Sequence, residues 1–135
     1  MPVLGSDKWV QAFSAAINES PAYAAAASTW EGDFYITIEP GGVLSEEIVM
    51  YLDLWHGKCR DAFVAKDRSV KDPEFVISAP EAVWRKVIDK KLDPIQGMMT
   101  RQLKLQGNMI KIMKAVRAAK ELVECVTQVP TEFHD

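Results

Sequence analysis

The sequence predicts an α+β fold: a single five-stranded, mostly antiparallel sheet with helices covering one face. Three observations carry this. Phe34-Tyr35-Ile36-Thr37-Ile38 and Ile48 to Trp55 alternate at period two, the signature of strands. Near the C-terminus, Met109, Ile112, Met113, Val116, Ala119, Val123 and Val126 step by three or four, the period of a helix. The chain has 135 residues, 48% apolar and 26% charged, which suits one domain spanning 1–135 with a core of its own.

The elements follow in order. Ser6 caps a first helix, Asp7 lies in its first turn, and Trp9, Val10, Phe13, Ala16 and Ile17 form its apolar face. Ser20-Pro21 starts a second helix, the alanines from Ala24 to Ala27 favour it, and Gly32 is its expected stop. A first strand follows, with Phe34, Ile36 and Ile38 on one face; Pro40-Gly41-Gly42 ends it. The second strand, Ile48 to Trp55, puts Ile48, Met50, Leu52 and Leu54 on one face and Val49, Tyr51, Asp53 and Trp55 on the other. His56-Gly57 is a two-residue hairpin turn into a third strand, Lys58 to Ala65. Phe75-Val76-Ile77 is a short fourth strand.

Ser78-Ala79-Pro80-Glu81 has the form of a capping box, opening a helix with Val83, Trp84, Val87 and Ile88 inward. Asp93-Pro94-Ile95-Gln96 starts a further short helix. Leu103-Lys104-Leu105 reads as the fifth strand, ending at Gly107. One last helix begins near Asn108 and stops before Pro130.

Several function classes find no support. A net charge of −3 exerts no general pull on nucleic acid, and basic and aromatic residues do not interleave. No apolar run approaches the about 18 residues of a membrane span. Neither a signal peptide at the N-terminus nor a peroxisomal address at Phe133-His134-Asp135 is evident, so a cytoplasmic location is expected. Cys59 and Cys125 match no metal spacing and read as buried thiols in a reducing compartment. No metal or cofactor is expected. Gly41-Gly42 begins no helix and is turn chemistry rather than a phosphate loop. Among candidate catalytic groups, His56 sits in a turn with Cys59 across it and no third group to orient the pair. Asp53 shares a parity with Tyr51, away from Met50, Leu52 and Leu54, which points it to solvent or to the opposite sheet face.

Two features remain. Four of the six methionines are Met98, Met99, Met109 and Met113, with Met50 in the sheet; methionine adapts its shape, which suits either a gap-filled core or a cavity for flexible chains. Between Arg101 and Lys120 there are six basic residues and no acidic one. Lys111, Lys114 and Arg117 form a stripe that serves either as a solvated face or as a contact for a lipid carboxylate, a coenzyme A phosphate or an anionic membrane.

The segment Leu92-Asp93-Pro94 through Leu103-Lys104-Leu105-Gln106-Gly107-Asn108-Met109 resembles the sterol carrier protein (type two) family. That family ends in a short helix, a strand reading roughly Leu-Lys-Ile-Gln-Gly-Asn, and an apolar helix. Gly107 permits the sharp change of direction, and Asn108 caps the helix. The sharp motif covers residues 92–116, and the element order extends the resemblance over most of the chain. The resemblance implies an apolar tunnel between sheet and helices. Its expected lining is Ile36, Met50, Leu52, Leu54, Trp84, Met98, Met99, Leu103, Leu105, Met109, Ile112, Met113 and Val116, with Lys111, Lys114 and Arg117 as head-group contacts. The absent peroxisomal address is more like a prokaryotic cousin, which moves the expected ligand from sterol toward a fatty acid or fatty acyl thioester.

The expected function is therefore a non-enzymatic lipid carrier, with transient contact to a membrane or an enzyme. Two rivals stay open: a small isomerase or thioesterase-like enzyme on a similar frame, and an accessory module that presents lipid to a partner enzyme or pairs as a homodimer.

Overall fold

A computed structural model describes residues 1–134; Asp135 lies outside the described residues. The helices are α1 (Asp7–Asn18), α2 (Pro21–Ala26), α3 (Glu81–Ile88), α4 (Pro94–Met99), α5 (Met109–Met113) and α6 (Val116–Thr127). The strands are β1 (Glu31–Ile38), β2 (Ile48–Trp55), β3 (Lys58–Ala65), β4 (Phe75–Ala79) and β5 (Lys104–Gln106). They form one sheet in the order β3-β2-β1-β4-β5. β1 and β4 run parallel, and the other neighbours are antiparallel.

Local chemistry explains most element starts. The side chains of Ser6, Ser20, Asp93 and Asn108 each accept a backbone N–H in the first turn of α1, α2, α4 and α5. His56 and Gly57 both have positive φ, 48° and 80°, as a tight β2–β3 hairpin requires.

Sheet parity divides the molecule. Phe34, Ile36, Leu52, Leu54 and Ile77 face the helices and belong to the main core. Tyr35, Val49, Tyr51 and Ala65 form a smaller cluster on the opposite face. The segment after β3 crosses that second face: the Tyr35 hydroxyl lies 3.2 Å from the Arg68 carbonyl and accepts the Lys71 N–H at 2.7 Å. The terminal segments are joined by a bridge between Val3 and Glu132, and the Trp9 indole donates to Thr131 Oγ1 at 2.9 Å. α1 is anchored to β3 by a reciprocal pair. The Asn18 amide donates to the Cys59 carbonyl at 3.0 Å and accepts the Cys59 N–H at 2.8 Å. This holds β3 where its register against β2 shifts after Asp53.

Three local expectations are corrected. Gly32 does not stop α2, which ends at Ala26 with Ala27 as its cap; Gly32 is part of β1. Ser78 does not cap α3. It stays in β4, where its hydroxyl pairs with Thr37 Oγ1 at 2.8 Å, and Pro80 takes the cap position without a side-chain bond. The expected single last helix breaks at Lys114–Ala115 into α5 and α6. Ala115 leaves helical geometry at φ −109°, ψ 33°.

Candidate functional site

Between the helix-facing side of the sheet and the helices lies a cavity of about 160 Å³. The sheet floor is Phe34, Ile36, Met50, Leu52, Leu54 and Ile77. The helical walls come from Trp9, Val10 and Phe13 of α1, Trp84, Val87 and Ile88 of α3, Pro94 and Met98 of α4, Ile112 of α5, and Ala119, Leu122, Val123 and Val126 of α6. Leu4 and Leu103 complete the lining.

Every lining side chain is apolar, and both indole N–H groups in the wall are already used. Trp84 Nε1 donates to the Thr37 carbonyl at 2.8 Å, and Trp9 Nε1 to Thr131. Such a wall offers water no partners; an apolar cavity of about 150 Å³ stays dry and accepts an apolar guest. A second apolar void of about 40 Å³ lies alongside. It shares Phe34, Leu54, Ile112, Ala119 and Leu122 with the first, so these side chains are the partition between them.

The model of the SCP-2 sterol transfer family matches residues 11–120. The chain belongs to the SCP-2 sterol transfer family. Among solved structures it is similar to a crystal structure of sterol carrier protein 2, with 35% identity and TM-score 0.85, covering 94% of this chain and 99% of that one. It is also similar to a conserved hypothetical protein of Thermus thermophilus, with 34% identity and TM-score 0.85, covering 96% and 91%. Sterol carrier protein 2 from Aedes aegypti, solved in complex with palmitate, shares the fold at 14% identity and TM-score 0.55, covering 96% and 100%. No curated protein matches the chain.

Within this SCP-2 domain, Ile36, Met50, Leu52, Leu54, Trp84, Met98, Leu103 and Ile112 of the expected lining border the cavity. Five others do not line it. Leu105 and Met109 are half-buried against the core, outside the wall. Met99, at the end of α4, Met113, at the end of α5, and Val116, at the start of α6, are exposed. Further wall residues lie outside the expected lining. Trp9, Val10 and Phe13 were legible as an apolar helix face but not as a cavity wall. Leu4, Phe34 and Ile77 carried no signal that separates lining from solid core.

The basic stripe divides in the same way. Lys111 does not point at the cavity: its Nζ donates to Glu74 Oε2 at 2.8 Å and to the Glu31 carbonyl at 2.6 Å. Lys114 and Arg117 are exposed. The candidate catalytic groups are each engaged elsewhere. His56 Nε2 pairs with Glu31 Oε2 at 2.6 Å. Asp53 lies on the sheet face away from the cavity and takes two bonds from Arg60, at 3.1 and 3.2 Å. The Cys59 thiol donates to the Asp61 carbonyl at 3.4 Å, and burial pushes its pKa up, away from thiolate. Cys59 and Cys125 are both free. Among the described residues, no group of three or more His, Cys, Asp or Glu is placed to hold a metal ion, and no helix is long and apolar enough to cross a membrane.

Proposed function

We propose that this chain, as one domain spanning 1–135, is a non-enzymatic carrier that holds a fatty acid or fatty acyl thioester. The observation that carries the reading is the cavity between sheet and helices, lined by apolar side chains alone. Each methylene transferred from water into such a wall contributes about 0.8 kcal/mol, so a long chain gains affinity without any specific polar contact. Selectivity for chain length and unsaturation is then loose. The free space supports a flexible chain over a rigid sterol. It is divided into two voids by Phe34, Leu54, Ile112 and Leu122, which yield by rotamer changes, and by the fixed methyl of Ala119; an acyl chain threads such a partition and a fused ring system does not. The two free thiols fit a reducing compartment such as the cytoplasm.

The test is titration with a fluorescent fatty acid, together with native mass spectrometry of the protein purified from its own host. Saturable one-to-one binding and a co-purified acyl lipid are expected. A protein that takes up no fatty acid and carries no lipid would overturn the proposal.

A further inference from the structure

Half of the large apolar side chains that the described residues leave exposed fall between residues 99 and 116: Met99, Ile110, Met113 and Val116. Three of these lie on the short stretch formed by α5, its break, and the first residue of α6. Ile110 and Met113 are 65% and 45% exposed, one turn apart on α5, while Ile112 between them is buried and lines both voids. Val116 then opens α6 at 47% exposure. Lys114 in the break, and Arg117 and Lys120 in the first turns of α6, are exposed cations next to these side chains in sequence. Unlike Lys104 and Lys111, which pair with Glu39 and Glu74, these three have no ion-pair partner among the described residues. No acidic residue interrupts the sequence from Arg101 to Lys120, although the whole chain carries a net charge of −3.

We propose that the α5–α6 elbow is a docking surface for an anionic lipid bilayer, with Ile110, Met113 and Val116 entering the headgroup–acyl boundary and Lys114, Arg117 and Lys120 facing the lipid phosphates. Charge complementarity selects this occupant. An otherwise acidic protein approaches an anionic surface with its one long basic stretch foremost, and apolar tips set among cations are the side-chain pattern of interfacial helices. The long stems of Lys and Arg reach the phosphates while the apolar tips sit deeper. The placement also serves transfer. Behind the docked face stands Ile112, a single side chain in the wall of the cavity, so the bilayer meets the protein where one short helix separates lipid from lipid.

The inference rests on the carrier reading, and the experiment separates the two. Sedimentation with vesicles compares phosphatidylcholine alone with phosphatidylcholine containing about 30 mol% phosphatidylglycerol, while solution affinity for a fluorescent fatty acid is measured in parallel. The wild-type protein is expected to sediment only with the anionic vesicles, and less as salt rises. Lys114→Glu/Arg117→Glu/Lys120→Glu lowers that partitioning on the order of 100-fold. Ile110→Ser/Met113→Ser lowers it by about tenfold and leaves the salt dependence in place. Both variants keep solution fatty-acid affinity within about twofold of wild type, since neither set lines the cavity.

Wild-type protein that binds fatty acid but ignores anionic vesicles, or a triple charge reversal that binds them unchanged, overturns the docking surface and leaves the carrier standing. Wild-type protein that binds anionic vesicles but no fatty acid overturns the carrier and retains the surface. A wild-type dimer that Ile110→Ser/Met113→Ser converts to monomer assigns the patch to a second copy of the chain and overturns the bilayer as its occupant.

Discussion

Lys111 Nζ lies 2.8 Å from Glu74 Oε2, and this ion pair ties α5 to the residue that precedes β4. The same ammonium donates to the Glu31 carbonyl at the start of β1 and lies 4.9 Å from the centre of the Trp30 ring. One side chain therefore pins a five-residue helix whose Ile112 closes both voids. Both partners are more than a third exposed, so solvent screens the pair and its worth to global stability is about 0–1 kcal/mol. Lys111→Ala is expected to leave the urea midpoint almost unchanged. It should raise amide exchange across 109–113 and speed the release of bound fatty acid, read by stopped-flow fluorescence. Unchanged exchange in that segment would show that the clamp does not hold α5.

Gly107 is the hinge between β5 and α5, and its φ of +129° strains any residue with a Cβ. A methyl group there would collide with the Phe75 ring at Cδ1 and approach the Glu74 carbonyl at 3.0 Å. Phe75 is fully buried and packed between Phe34 and Trp30, so it cannot yield. Gly107→Ala combines backbone strain with overpacking and should cost about 2–5 kcal/mol. A urea titration checks this; a loss of less than about 1 kcal/mol would mean that the β5–α5 corner relaxes freely.

Where the determinants were local, the sequence was legible. β2 runs from Ile48 to Trp55 as its alternation predicts, and His56-Gly57 turns as its residue types require, because both depend on near neighbours. Ser78 misled because its strand partner Thr37, 41 residues away, offered a better use of its hydroxyl than the helix start did. No glycine or proline marks the break at Ala115, and the exposed ends of the two helices it separates, Met113 and Val116, share the apolar spacing of residues that line the wall. Spacing marks α1 as amphipathic, yet that Trp9 and Phe13 line free space is decided by α3 and α6, far along the chain. The expectation of a lining rests on family resemblance, because spacing by itself does not separate a hollow core from a filled one.

Stability should fall on the alkaline side. Tyr23, Cys59 and Cys125 are buried, and desolvation raises the pKa of each above the ordinary 10.0, 9.0 and 9.0. The native state keeps these protons where the unfolded chain releases them. Their contribution is thus complete below the unfolded values and is lost as pH rises through 9.0 and then 10.0. Urea midpoints are expected to decline from about pH 8.5 upward. Tyr23→Phe/Cys59→Ala/Cys125→Ala should flatten that decline without removing it, since Tyr51, which donates to Asp33 at 2.8 Å, is raised as well. An identical slope in the triple variant would place the alkaline sensitivity outside this cluster.

Filling the cavity separates a binding site from a packing defect. Ile36 sits mid-strand in β1, between Met50 of β2 and Ile77 of β4 in register, and all three face the free space. A void left in a core costs about 24 cal/mol per Å³, so occupying part of this one recovers about 1–2 kcal/mol when the new side chain fits. Ile36→Trp is expected to hold or raise the melting temperature while weakening fatty-acid binding by about tenfold or more, because each methylene excluded forfeits about 0.8 kcal/mol. Met113→Ala, which changes an exposed side chain outside the wall, serves as the control and should alter neither quantity. The two readouts move in opposite directions only if the ligand and the indole compete for the same volume. Retained affinity in a folded Ile36→Trp protein would place the acyl chain elsewhere on the molecule.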